Sequence, residues 1–323
     1  MTAAPPATMR GLRVGAFGRV PEVAADLPRP AAGPGTTLVR MAAAALGHLD
    51  RSVASGTFPR RPPLPYVPCG DGAGWVEESA AFPRGALVWL RGGGLGVARD
   101  GVAAEYAAVP DEAVHLAPDG ADPLLAACFF SPATSAHLSV HELADVRAGQ
   151  HVLVTGGAGA VGSLAVQLAL RAGADVTALV SRPERAPLVP DGARVLVGGV
   201  DGGAGDGPYD ALVETVGGPG LPARLDAVRP GGVAVIVGYT AGTRVELDLP
   251  ARCVHDVDLR FLNMIRRAPQ AFALADGLLS RLSAGDLTLA VDRYRLDEAA
   301  AAWQALAAGG ARGRVVLEAT GDR

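Results

Sequence analysis

The run Val152-Leu153-Val154-Thr155-Gly156-Gly157-Ala158-Gly159-Ala160-Val161-Gly162 constrains this chain more than any other segment. An apolar stretch fit for a buried strand leads into a glycine-rich turn, and residues 160–171 follow with helical spacing. The turn carries Gly-x-Gly-x-x-Gly at Gly157, Gly159 and Gly162. Alone that pattern is weak. Between a strand and a helix, inside a βαβ unit of about 30 residues, it marks a dinucleotide site. Gly157 would allow the tight turn, Gly159 would let backbone approach a pyrophosphate, and Gly162 would let helix and sheet pack closely. The first helical turn, with Ala160 and Val161, would offer free N–H groups and the positive end of the helix dipole to a diphosphate. The bland alternative is a strand-to-helix turn that binds nothing.

The flanking sequence extends the pattern. Residues 175–180 read as a second strand, and further apolar strands are expected at 194–197, 211–215 and 233–237. Buried strands alternating with helices predict an α/β, doubly wound parallel sheet. The tip of the second strand reads Ala178-Leu179-Val180-Ser181-Arg182, with Arg185 one turn later. An acid there would grip the ribose 2′-hydroxyl of NAD; Ser181, Arg182 and Arg185 suit a 2′-phosphate and favour NADPH. Glu184 weighs against this, and solvated surface arginines are the alternative. Residues 11–118 differ: short β-like runs at 12–17, 37–40, 74–77, 86–90 and 103–109, cut by Gly and Pro, suggest a small barrel or sandwich. Residues 124–146 carry helical periodicity. Helices near 270–283 and 297–308 and a strand at 314–317 close the chain, and residues 201–208 (DGGAGDGP) read as a mobile surface turn.

Composition removes whole classes of function. The 323 residues suit about two domains. All 29 basic residues are Arg, so a Schiff-base lysine and a lysine-dependent phosphate loop are both impossible. A net charge of −4 and 5% aromatic residues argue against nucleic acid as a partner. Cys69, Cys128 and Cys253 are far apart, which excludes a four-cysteine zinc site and suits a reducing, cytoplasmic setting without disulfides. Residues 1–10 are Ala/Pro-rich and do not read as a signal peptide. The longest apolar stretch, 163–180, is broken by Gln167, Arg171 and Asp175, so no membrane span is expected.

Motifs along nearly the whole chain carry a resemblance. They are Gly47-His48-Leu49-Asp50 with Ser55-Gly56, Pro65-Tyr66-Val67-Pro68 with Asp71-Gly72-Ala73-Gly74, and Asp100-Gly101-Val102-Ala103-Ala104-Glu105-Tyr106. The glycine turn, Glu214-Thr215-Val216-Gly217-Gly218, Arg229-Pro230-Gly231-Gly232 and Gly313-Arg314-Val315-Val316-Leu317 continue the order. The chain resembles the medium-chain dehydrogenase/reductase superfamily, in its zinc-independent quinone oxidoreductase and enoyl reductase branch. The resemblance implies a GroES-like β-barrel substrate domain from residues 1–123 and 257–323, with a Rossmann NADPH domain, 124–256, inserted. It also implies a homodimer joined near residues 259–264.

Zinc members of that superfamily place Cys and His where this chain has Gly47 and Gly70, and an acid where it has Asp71. Cys69 sits one place early, so no metal is expected. Leu49 stands where alcohol dehydrogenases use a hydroxyl to relay a proton, which disfavours alcohol chemistry. Without a Lewis acid, hydride from nicotinamide C4 is better suited to a conjugated acceptor, an enone, enoyl thioester or quinone, whose enolate charge needs only hydrogen-bond donors. The resemblance sets residues 47–50 beside the nicotinamide, so His48 is a candidate donor, or else a structural histidine bonded to backbone. Gly47 and Ser52 replace an Asn and a Tyr that many quinone reductases carry, which leaves Tyr66 and Tyr239 as fallback donors. Val216, Gly238, Tyr239, Asn263 and Arg314 complete the expected cofactor contacts, Asn263 at the carboxamide. A small conjugated acceptor is the expected partner. A biosynthetic enoyl reductase or reductive cyclase acting on a polyketide-like enone fits equally well, and an NADPH-binding sensor with little catalysis is the reading from another class.

Overall fold

The computed structural model describes residues 7–198, 204, 205 and 207–319. The first stretch holds β1 (Thr8–Arg13), β2 (Glu22–Pro28), β3 (Thr36–Leu46), α1 (His48–Ala54), β4 (Asp71–Glu78), β5 (Leu87–Leu90), β6 (Tyr106–Pro110) and β7 (Val114–Leu116). The expected helical stretch 124–146 forms in pieces: α2 (Pro123–Cys128), α3 (Phe130–His137) and a π-helical turn at Leu138–Leu143. Asp122 starts it, its carboxylate accepting from the amides of Leu124 and Leu125, with Pro123 in the first turn. Next come β8 (His151–Thr155), α4 (Ala160–Arg171), β9 (Asp175–Val180), β10 (Arg194–Val197), β11 (Tyr209–Glu214), α5 (Leu221–Asp226), β12 (Val228–Ile236), α6 (Leu249–His255) and β13 (Asp258–Phe261). The chain ends with α7 (Ala268–Ser283), β14 (Val291–Arg295), α8 (Ala299–Ala307) and β15 (Arg314–Glu318).

Two compact units result. The first takes the described residues up to Phe130, then Leu279–Asp286 and those from Ala290 onward; the second takes those of Ser131–Leu278, with Leu287–Leu289. These limits differ from boundaries at 123/124 and 256/257. β13 is hydrogen-bonded to β12 as the outermost strand of the second unit's sheet, so the stretch from 257 to 278 belongs there. Asp201–Gly203 and Asp206 of the expected surface turn lie outside the described residues. Ala204 is buried, and the Tyr209 hydroxyl donates to its carbonyl at 2.8 Å.

In the first unit the hydrogen-bonded order is β14-β15-β3-β4-β5-β7, with β6 also on β3. All pairs are antiparallel except β14 with β15. β3 is apolar from Met41 to Leu46, as its central place demands, and Met41, Leu46, Leu90, Val102, Val315 and Leu317 pack in the core with Ala302 of α8. The second unit is a six-stranded parallel sheet, β10-β9-β8-β11-β12-β13. Strand order reverses between β8 and β11, and the crevice outside the carboxyl ends there is where such sheets take ligands. α4 buries Leu164, Ala165, Leu168 and Ala169 in the expected span 160–171. Among the described residues no helix is long and apolar enough to cross a membrane.

Candidate functional site

The glycine turn sits at that reversal, between β8 and α4. Its glycines work differently from the expectation. The left-handed residue is Gly156, at φ 60°, not Gly157. A Cβ on Gly157 would stand 2.7 Å from Ala178 Cβ, so this glycine lets the turn lie against β9. A Cβ on Gly162 would stand 2.1 Å from the Gly156 carbonyl oxygen, so at this position α4 meets the turn itself. Gly159 is the N-cap and has no side chain to cap with. The amides opening α4, at Ala160, Val161 and Gly162, therefore lack partners within the helix and can hold a diphosphate. At the tip of β9, Ser181 and Arg182 are exposed and Arg185 is half-buried, with Glu184 also exposed.

The neighbouring loop, after β11, is built on a buried ion pair that the sequence reading did not single out. Glu214 and Arg224 are 0% and 1% exposed, with Arg224 Nε donating to Glu214 Oε2 at 2.6 Å. Glu214 Oε1 accepts from the Val216 and Gly217 amides and the Thr155 hydroxyl, each at 2.8 Å. The signal was present: an acid closing an otherwise buried apolar strand needs a partner. Gly238 lies against this loop, where a Cβ would stand 2.3 Å from the Thr215 carbonyl oxygen. Tyr239 follows on the same loop and is 68% exposed. Asn263 uses its Oδ1 locally, accepting from the Ile265 and Arg266 amides at 3.1 and 2.9 Å, so only its NH2 is left for a carboxamide.

The remaining candidates lie in the first unit. Gly47 caps α1, and buried Asp50 accepts from the Gly47 amide at 2.7 Å. Burial pushes the Asp50 carboxyl up to about 6; Asp71 adds to the rise, while the Gly47 amide and Arg314 oppose it. His48 is an exposed residue, and its ring makes no hydrogen bond among the described residues, to backbone or otherwise. Partial burial, then the charges of Arg51 and Arg314, hold its pKa below the ordinary histidine value, which keeps it neutral with one N–H to donate. Tyr66 is buried beside Val14, Val53 and Ala54. Burial, then Asp50 and Cys69, raise its phenol pKa, so it can serve only as a neutral donor. Arg314 reaches past Gly47, with Nη1 3.6 Å from where a Cβ would be, and its Nε is buried without a hydrogen bond. His48 and Tyr66 thus fall in one unit and Tyr239 in the other.

A zinc ion does not fit the residues at its family position. Gly47 and Gly70 offer no ligand atom. A Cβ on Gly70 would stand 2.8 Å from the Leu95 carbonyl oxygen. Both Asp71 oxygens are engaged by Arg91 Nη1, at 2.6 Å. The buried Cys69 thiol has its pKa raised well above normal, by burial first and then by Asp50 and Asp71. Among the described residues no three His, Cys, Asp or Glu side chains are grouped to hold a metal. The His137 and His141 rings lie 4.6 Å apart, and no third ligand joins them.

Comparison with known proteins agrees with this architecture. The profile of the alcohol dehydrogenase GroES-like domain matches residues 33–119, and that described as zinc-binding dehydrogenase matches residues 194–317. The quinone oxidoreductase of Homo sapiens is 27% identical over 327 residues, covering 96% of this chain and 97% of its own. A mycobacterial quinone oxidoreductase structure superposes with a TM-score of 0.80 at 27% identity, over 96% of this chain and 99% of its own. A mycobacterial structure complexed with NADPH superposes equally well, at 25% identity over the same shares. By fold, motif order and these matches, the chain belongs to the medium-chain dehydrogenase/reductase superfamily, in its quinone oxidoreductase branch.

Proposed function

We propose that this oxidoreductase uses NADPH to reduce an activated C=C bond or a quinone without a metal. One observation carries the reading: the dinucleotide turn is intact, while the metal position holds two glycines and an aspartate clamped by arginine. The cofactor supplies hydride from nicotinamide C4 to the acceptor. The α4 amides bind the diphosphate, and Ser181, Arg182 and Arg185 bind the 2′-phosphate. Gly238 leaves room for backbone contact, while Val216, Tyr239 and the Asn263 NH2 line the nicotinamide half. Arg314 supplies a fixed positive charge for an anionic group. His48 and Tyr66, both held neutral, donate to the oxygen on which charge develops. The likeness to an NADPH-bound mycobacterial relative supports the choice of cofactor.

We further infer a homodimer joined through β13. That strand is the sheet's open edge, every residue of it is exposed, and Leu259, Phe261 and the nearby Ile265 give it an apolar surface. The test of function is NADPH oxidation, compared with NADH, using a p-quinone and a simple enone in EDTA. Turnover that prefers NADPH and survives EDTA is expected. Tight NADPH binding with no acceptor reduced would replace the reading with that of a non-catalytic NADPH-binding protein.

A further inference from the structure

The buried Glu214–Arg224 pair does more than fill the core of its unit. Arg224 Nε binds one Glu214 oxygen, and Arg224 Nη2 donates to the Gly217 carbonyl at 2.8 Å. The other Glu214 oxygen holds the amides of Val216 and Gly217 and the hydroxyl of Thr155. Thr155 in turn accepts from the Thr215 amide at 2.8 Å, and the Thr215 hydroxyl donates to the Thr155 carbonyl at 2.7 Å. Thr155 is the last residue before the glycine turn. A Cβ on Gly156 would stand 2.5 Å from the Thr215 hydroxyl and 3.2 Å from a Val216 methyl, so the loop is the wall against which the turn is formed. Gly217 and Gly218, both left-handed, carry the chain through a bend that is also held by the Ala241 amide donating to the Val216 carbonyl at 2.9 Å.

We propose that Glu214 and Arg224 are positioning residues for cofactor binding: together they hold residues 215–218 in the bound shape before the dinucleotide arrives. This rests on the NADPH reading above. A clamp of this kind spares the cofactor the cost of ordering two loops, so its removal appears in affinity for NADPH rather than in the chemical step.

Arg224→Met removes the clamp at similar volume. NADPH fluorescence titration should show Kd raised tenfold or more, with kcat at saturating NADPH within threefold of the parent. Arg224→Lys, which keeps the charge but one donor group, should recover part of the loss. The pair Glu214→Met with Arg224→Met separates positioning from simple stability, because replacing a buried ion pair by apolar residues commonly restores stability. It should regain most of the parent's Tm and none of its affinity for NADPH. If it regains both, the pair is merely structural and the proposal is overturned; so too if Arg224→Met binds NADPH within threefold of the parent. Should these variants fail to fold, amide hydrogen exchange of the cofactor-free parent decides. Val216 and Gly217 protected before NADPH is added support a preformed loop, and protection gained only with NADPH refutes it. A parent that binds no NADPH refutes the functional reading itself, and this inference falls with it.

Discussion

Gly162→Ala puts the geometry of the cofactor turn to its most severe test. The new Cβ would lie 2.1 Å from the Gly156 carbonyl oxygen, 2.7 Å from its carbon and 3.1 Å from Gly157 Cα. Ordinary Cβ contacts begin near 3.4 Å, so backbone must retreat by more than 1 Å. No flexible side chain is available to absorb the shift, because every atom in the way is main chain. Overpacking of this kind costs about 1–3 kcal/mol of stability. The functional cost is larger, since the displaced groups are the amides that would meet the diphosphate, and a misplacement of ~1 Å can cost ~100-fold. NADPH titration should therefore show Kd raised between about tenfold and 100-fold. Far-ultraviolet circular dichroism should show the sheet and helices retained. A Gly162→Ala protein that folds and binds NADPH within threefold of the parent would refute the argument that α4 packs directly on the turn.

Three further outcomes are expected. The Asp50 carboxyl has its pKa raised from 3.8 to about 6, so the unfolded chain ionises first as pH climbs. Stability from this group falls between about pH 4 and pH 6 and stays lost above, by about 3 kcal/mol for a two-unit gap. Asp50→Asn keeps an acceptor for the Gly47 amide, so its urea midpoint relative to the parent should rise between pH 4.5 and 7.5; a constant difference would count against the shift. Gly277 is an exposed position in α7 with nothing within 4 Å of an added Cβ, so Gly277→Ala should stabilise by about 0.5–1 kcal/mol, seen as a higher Tm. Restoring the family's metal ligands by Gly47→Cys with Gly70→His should not create a tight zinc site, because the Leu95 carbonyl and the Arg91–Asp71 pair occupy the geometry. Stoichiometric zinc retained through gel filtration would contradict this.

The sequence was most legible where local pattern and final packing agree. The span 160–171 of α4 and 175–180 of β9 could be read from apolar periodicity bounded by Gly and Asp, because both elements are buried by that same periodicity. β2 offers no such signal: only Ala24 and Leu27 face inward, so its alternation is broken. β13 is exposed at every residue, and hydrophobic alternation cannot announce an edge strand with no buried face. The division of labour in the turn was also hidden. Gly156 and Gly157 are adjacent and chemically identical, and only the backbone path decides that Gly156 takes the positive φ while Gly157 lies against Ala178. Within the candidate site, the absence of ligand side chains at Gly47 and Gly70 was readable directly. The arginine clamp on Asp71 and the Glu214–Arg224 pair were not, because each joins residues brought together by the fold, 20 and 10 positions apart in the chain.

The most direct measurement of the central claim follows deuterium. NADPH labelled at nicotinamide C4 is mixed with the protein and a simple enone after exhaustive chelation, and the product is examined by NMR. The account predicts deuterium on the β-carbon, solvent hydrogen on the α-carbon, and a rate unchanged by the chelator. Turnover that vanishes on chelation and returns with zinc would contradict it, as would an alcohol product carrying the label on the carbinol carbon that had been the carbonyl.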